Sequence, residues 1–80
     1  MGALEVFPNP ANDAIILQIG QSFDQGIARI FNTQGLLLSR TQLQEQRVKL
    51  PTHNLKNGTY IIEVQLDDKP ALRKPFIINR

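Results

Sequence analysis

The sequence predicts an all-β protein with an immunoglobulin-like fold, an antiparallel β-sandwich of about seven short strands. Apolar and polar residues alternate along several segments, which is the period of a strand with one buried face. Residues that favour turns interrupt these segments about every ten residues, a spacing typical of sandwiches. No long stretch repeats its apolar positions with the period of a helix. Two packed antiparallel sheets are therefore the expected architecture.

Seven segments carry this strand pattern. In chain order they are residues 4–7, 14–19, 26–31, 36–41, 47–50, 58–66 and 72–78. In the sixth segment Tyr60, Ile62 and Val64 occupy one face, as expected for a strand that contacts the core. The inward faces of the seven strands are expected to supply the core, namely Ile15, Leu17, Ile30, Leu38, Val48, Leu50, Tyr60, Ile62, Val64 and Phe76.

Residues 8–13, with the sequence PNPAND, separate the first two predicted strands and are called the elbow below. Pro8 and Pro10 bias the residues before them towards extended conformations. Asn12 and Asp13 can close a turn on their own backbone. We therefore expect the elbow to be a stiff corner at which the first strand passes from one sheet to the other.

Two glycines and one proline set further local geometry. Residues 32–35, NTQG, form a turn suited to a hairpin, with Gly35 at its end. Gly58 is the first residue of the sixth segment and is expected to adopt a positive φ. Pro75 lies inside the seventh segment, so this strand should be at a sheet edge or carry a bulge.

The composition excludes several classes of protein. A chain of 80 residues is one small domain. It has no cysteine, so it has neither a disulfide framework nor a thiolate metal site. The net charge is only +2, and the basic residues are spread along the chain. Proteins that bind nucleic acids usually have a clustered basic patch, so the charge gives little support for this function. No apolar run approaches the roughly 20 residues of a transmembrane helix, and the opening MGALEV does not resemble a signal peptide. We expect no nucleic-acid partner and no transmembrane segment.

Residues with catalytic chemistry are sparse. His53 is the only histidine, and it lies in a polar loop. Ser22 and Ser39 lie in ordinary polar contexts, with no sign of the base and acid that activate a catalytic serine. The sequence therefore predicts that the domain is not an enzyme.

Oxygen-bearing side chains form two clusters that could bind calcium. One cluster is Asn9, Asn12 and Asp13, and the other is Asp67-Asp68. Calcium requires about six to eight oxygen ligands, and neither cluster has the spacing of an EF-hand loop. Turn formation explains both clusters better. We expect no metal site and no cofactor.

Four motifs occur in an order that resembles one known family. They are VFPNPANDAIILQI near the start, ARIFNTQGLLL in the middle, LKNGTYIIEV later and RKPFIINR at the end. Together they resemble the type A C-terminal sorting domain of proteins exported by the type IX secretion system of Bacteroidetes. The residues that carry this resemblance are called the landmarks below: Pro8, Asn9, Pro10, Asn32, Gly35, Leu55, Gly58, Tyr60, Lys74, Phe76, Ile77, Ile78 and Arg80.

The resemblance implies a function. Such a domain is a folded C-terminal signal that targets a periplasmic cargo, joined upstream in the same chain, to a translocon in the outer membrane. A sortase-like protease then removes the domain, and the cargo is attached to surface lipopolysaccharide or released. The expected location is the periplasm in transit to the cell surface or the medium. Residues 4–80 would form the sorting domain, and residues 1–3 a linker or a remnant of recombinant expression.

Two other functions are compatible with the same residues, because each landmark also has a folding role in an immunoglobulin-like sandwich. The domain could be a non-catalytic adhesion or accessory module of a secreted enzyme. It could also be a sorting-type domain that stays on a component of the secretion machinery. In the export interpretation, the basic end of the chain is the signal, and Lys74, Asn79 and Arg80 point outward from a solvated strand.

Overall fold

The structure, a computed structural model, describes residues 4–8 and 11–80. The strands in these residues are β1 (Leu4–Phe7), β2 (Ala14–Ile19), β3 (Gly26–Asn32), β4 (Leu37–Leu43), β5 (Arg47–Pro51), β6 (Gly58–Leu66) and β7 (Leu72–Ile78). The all-β prediction is confirmed, because the part of the chain that the structure describes contains seven strands and no helix. It follows that none of the described residues belongs to a helix that could cross a membrane.

The strands form two antiparallel sheets that pack face to face. One sheet has three strands in the order β1-β2-β5, and the other has four in the order β4-β3-β6-β7. Alternate residues of each strand point into the space between the sheets, so apolar residues at every second position become buried. The predicted sandwich is therefore confirmed.

The core consists of the apolar side chains on the two inward faces. Those that are buried are Leu4, Ala11, Ile15, Leu17, Ile19, Ala28, Ile30, Leu43, Leu50, Tyr60, Ile62, Val64, Leu66, Phe76 and Ile78. Eight of the ten predicted core residues are in this set, and Val48 packs against it while partly exposed. The remaining predicted core residue is Leu38.

The prediction that Leu38 belongs to the core is wrong, because β4 contains a bulge. Ile30 of β3 is opposite Ser39, whereas Phe31 is opposite Leu37, so Leu38 is an extra residue between these two pairs. The extra residue interrupts the alternation of the strand. Leu38 is 39% exposed as a result, and Leu43 at the end of β4 is 2% exposed and occupies the core.

The prediction that the elbow carries the first strand into the other sheet is also wrong. β1 and β2 are neighbours in the three-stranded sheet, with Leu4 opposite Ile19 and Phe7 opposite Ile16. Six residues are enough to reverse the chain, and a hairpin lets Leu4 share the buried face of β2. The Phe7–Pro8 peptide bond is cis. Of the elbow's residues, 9 and 10 lie outside the described part of the chain.

The elbow nevertheless connects the two sheets. Ala11 forms a parallel bridge with Ile78 of β7, which is the edge strand of the four-stranded sheet. The N–H of Ala11 donates to the main-chain oxygen of Ile77 at 2.6 Å, and the N–H of Asn79 donates to the main-chain oxygen of Ala11 at 2.9 Å.

Pro75 lies in β7, which is an edge strand of the four-stranded sheet. This confirms the prediction that a strand containing Pro75 lies at a sheet edge or carries a bulge.

Candidate functional site

Segments that are far apart in the sequence meet at one end of the sandwich, called the motif end below. They are residues 11–13 of the elbow, the 32–36 turn, the 52–57 loop and residues 78–80. β3 ends at Asn32 opposite Tyr60, and β6 begins at Gly58 opposite Ile78. The bridge from Ala11 to Ile78 brings the elbow to the same end. Strand pairing and this bridge thus bring together residues from all four motifs.

Arg80 joins the terminal strand to two of these loops. Its Nε atom lies 3.2 Å from Oδ1 of Asp13 in the elbow and forms an ion pair with it. Its guanidinium also donates to the main-chain oxygens of Leu55 and Thr52. The main-chain N–H of Arg80 donates to Oδ1 of Asn57 at 3.1 Å. A guanidinium can serve three acceptors in this way because its donors form a fixed planar fork. Arg80 is exposed, as expected, but its guanidinium is bonded within the domain and is not free in the solvent.

Thr52 belongs to the same junction, although no sequence pattern indicates it. Its side chain is fully buried, and its hydroxyl donates to the main-chain oxygen of Asn12 at 3.3 Å. Its N–H donates to the oxygen of Asp13 at 2.7 Å, and its own oxygen accepts from the N–H of Leu55 at 2.9 Å. Thr52 therefore holds the elbow against the 52–57 loop.

Asn32 and Gly35 build the turn between β3 and β4. Oδ1 of Asn32 accepts hydrogen bonds from the N–H groups of Gln34 and Leu36, each at 2.9 Å. The N–H of Gly35 donates to the main-chain oxygen of Asn32 at 3.1 Å. Gly35 has a φ of 85°, a conformation in which a side chain is unfavourable. Both landmarks thus have a local structural role.

The landmarks of the third motif anchor the start of β6. The ring of Tyr60 stacks on that of Phe76 with centroids 5.7 Å apart, and its hydroxyl donates to the oxygen of Lys56 at 2.6 Å. Leu55 packs against the core while partly exposed. Gly58 has a φ of 155°, so the expected positive φ is confirmed.

The remaining landmarks divide into buried and exposed residues. Phe76 and Ile78 are buried on the inward face of β7, whereas Ile77 is 47% exposed. Lys74 is exposed and forms no ion pair with any residue in the described ranges. Pro8 is exposed, and Asn9 and Pro10 lie outside the described residues.

Two acidic residues have structural roles that no sequence pattern indicates. Glu63 is 8% exposed and accepts hydrogen bonds from Arg29 at 3.4 Å and from Arg73 at 2.8 Å. Asp67 lies at the other end of the sandwich. Its carboxylate accepts from the N–H groups of Asp24, at 3.0 Å, and Gln25, at 2.9 Å. The two bonds to Asp67 span more than forty residues of sequence, so no local sequence pattern indicates them.

The chemistry of the motif end is that of a scaffold. Within residues 4–8 and 11–80, no three His, Asp or Glu side chains are grouped so that they could hold a metal ion. In the same ranges every buried side-chain nitrogen or oxygen has a hydrogen-bond partner. The polar groups that meet here hold loops and a chain end together, so the arrangement can present a surface of fixed shape.

Comparison with known proteins identifies one family. The family described as secretion system C-terminal sorting domain matches residues 5–79. The chain is also similar to a protein named funoran endo-beta-hydrolase from Wenyingzhuangia aestuarii, with 26% identity over 77 residues. That match covers 95% of this chain and 10% of the hydrolase. The chain therefore spans about a tenth of the length of this curated relative.

Proposed function

Because this chain belongs to the family of type IX secretion system C-terminal sorting domains, we propose that it is a folded signal that the outer-membrane translocon recognises. The observation that carries the proposal is the family match over residues 5–79. A sorting domain of this family implies a cargo in the same polypeptide and export through the periplasm to the cell surface or the medium. The translocon then acts on the sandwich and not on an unfolded tail.

The rigidity of the motif end supports recognition of a folded signal. Arg80, Thr52 and Asp13 link the chain end, the 52–57 loop and the elbow through hydrogen bonds and one ion pair. A surface held in this way loses little conformational entropy when a partner binds. We assign the landmarks Asn32, Tyr60 and Arg80 to the framework that holds this surface, because their side chains form hydrogen bonds within the domain. Gly58 belongs to the same framework because of its positive φ.

We further propose that a sortase-like protease removes the domain after export. β1 begins at Leu4 and pairs with β2 along its whole length, so a cut that removes the folded domain must lie on the N-terminal side of β1. Residues 4–80 would then leave as one unit. The cargo would be attached to lipopolysaccharide or released.

A reporter fusion tests the export step. A fluorescent protein with a periplasmic signal peptide is fused to the N-terminus of residues 1–80 and produced in a bacterium with an intact type IX system. We expect the reporter at the cell surface or in the medium, and we expect it in the periplasm of a strain without the translocon. The mass of the released domain shows whether the cut lies before Leu4.

The matched control is a fusion with Ile62→Asp, which introduces a charge at a fully buried position of β6. This variant should unfold and leave the reporter in the periplasm. If the intact domain also leaves the reporter there, the export proposal is wrong and an adhesion or accessory module becomes the better interpretation. If the reporter is exported but the domain stays attached, only the proposed cleavage is wrong.

A further inference from the structure

The outer face of the four-stranded sheet, which points away from the three-stranded sheet, carries two adjacent rows of side chains. The apolar row crosses all four strands and consists of Leu37, Phe31, Ile61 and Pro75. The charged row lies next to it and consists of Arg40, Arg29, Glu63 and Arg73. Residues two apart in a strand share a face, and the bulge in β4 keeps Leu37 and Arg40 in the same two rows, so the rows lie side by side on this face.

A shallow groove of about 400 Å³ lies over three residues of the apolar row, Phe31, Ile61 and Pro75. Phe31 and Ile61 line it, together with the 32–35 turn on one side and Arg73 and Pro75 on the other. Leu37 is 47% exposed beside Phe31. A groove of this volume is large enough for one or two large side chains of a ligand. Exposed apolar surface next to a concave site is typical of an interaction surface.

The charge of this face is one-sided. The outer face carries Arg29, Arg40 and Arg73 but a single acid, Glu63. Glu63 is already paired with Arg29 and Arg73. Among the described residues Arg40 has no ion pair, although it lies directly opposite Arg29. Like charges in opposite positions of a sheet are destabilising, so the fold alone gives no reason for an arginine at residue 40.

We propose that this groove is the docking site for an acidic polypeptide segment of the export machinery. An apolar side chain of that segment occupies the groove over Phe31 and Ile61, and its carboxylates face Arg40. The assignment of the partner to the export machinery rests on the proposed function. A protein fits better than a membrane surface, because the apolar residues line a groove and a flat bilayer surface contacts projecting side chains.

Arg40→Glu separates binding from folding. The glutamate is opposite Arg29, so an unfavourable pair becomes a favourable one and the melting temperature should stay the same or rise. The matched control is Lys49→Glu, the same charge reversal at an exposed position of the three-stranded sheet. Leu37→Ser removes the exposed apolar side chain that lies beside Phe31 at the border of the groove. Leu36→Ser is its control, because Leu36 is 61% exposed and lies outside the apolar row.

The first measurement is a titration of the isotope-labelled domain with a synthetic peptide of alternating Glu and Leu, followed by NMR. We expect the amide signals of Phe31, Ile61 and Arg73 to shift. Arg40→Glu and Leu37→Ser should each weaken binding about fivefold or more, since an exposed charge pair or a partly buried apolar contact contributes on this scale. The two controls should bind as the unchanged domain does, and added salt should weaken binding.

The second measurement is export of the reporter fusion. We expect Arg40→Glu and Leu37→Ser to reduce export about fivefold or more, in line with the weaker binding, while Lys49→Glu and Leu36→Ser export normally. If the unchanged fusion is exported and all four variants are exported equally well, the docking inference is wrong and the proposed function stands. If the unchanged fusion is not exported, the proposed function is wrong, and the titration alone decides whether the groove binds acidic peptide.

Two results of the titration would overturn the docking site. One is equal binding of a matched peptide of alternating Lys and Leu, which would show that charge plays no part. The other is binding to phosphatidylglycerol vesicles that Arg40→Glu abolishes, with no peptide binding at the groove. In that case the face would be a membrane contact.

Discussion

Arg80 shows how one side chain can hold a chain end in place. We predict that Arg80→Ser lowers the free energy of unfolding by about 1 kcal/mol, because it removes an ion pair and two partly screened hydrogen bonds to main-chain oxygens. Urea unfolding measures the loss. Arg80→Lys should recover only part of it, since an ammonium cannot reproduce the planar fork.

Lys74→Ser is the comparison for Arg80, because it removes a basic side chain from the same end of the chain. Lys74 is exposed and has no ion pair within the described ranges, so its loss should change stability by less than about 0.5 kcal/mol. Equal urea midpoints for the two variants would contradict the structural role of Arg80.

Gly58 is required for its backbone conformation. Its φ of 155° is one that residues with a side chain rarely adopt. A Cβ added there would meet only Cε2 of Tyr60 within 4.0 Å, so packing does not oppose a larger residue. We predict that Gly58→Ala lowers stability by about 1 kcal/mol through backbone strain. A rise in melting temperature would show that the conformation is compatible with alanine.

At the scale of the element, the bulge in β4 decides which leucine supports the core. Leu38 is the extra residue of the bulge and is 39% exposed, whereas Leu43 is 2% exposed. We predict that Leu43→Ala costs about 2–5 kcal/mol, the usual range for a buried leucine. Leu38→Ala should cost less than about 1 kcal/mol, because removing a partly exposed side chain leaves no closed cavity. Comparable losses in thermal or urea unfolding would mean that β4 has no bulge at this position.

At the scale of the whole molecule, stability depends on contacts between the two sheets. Ile62 lies in the central part of the four-stranded sheet and is fully buried. We predict that Ile62→Ala costs about 2–5 kcal/mol, a large share of the stability of a domain this small. Unfolding followed by circular dichroism measures the loss of stability. The circular dichroism spectrum of the unchanged domain should be that of a β protein. A variant with an unchanged melting temperature would mean that Ile62 lies outside the core.

The sequence by itself determined the seven strands, because alternation and turn residues act over a few neighbouring positions. β1, β2, β6 and β7 have the predicted bounds, and β6 has its predicted inward face. The positive φ of Gly58 could also be predicted, because glycine has no side chain that opposes it. The edge position of β7 could be predicted from Pro75, because proline lacks the N–H that a central strand needs. The family resemblance likewise depends on motifs that are local in sequence.

Only the tertiary structure decided which segments meet. The pairing of β1 with β2 and the bulge at Leu38 depend on the register in which neighbouring strands pair. The burial of Thr52 depends on a partner forty residues away in the chain. The sequence predicts a solvated charge at Arg80, but its guanidinium is bound because the fold brings Asp13 and two main-chain oxygens to it. Arg40 is the opposite case, because only the register shows that it faces Arg29. Local patterns are set by steric and turn preferences of neighbours, whereas these contacts are set by the packing of two complete sheets.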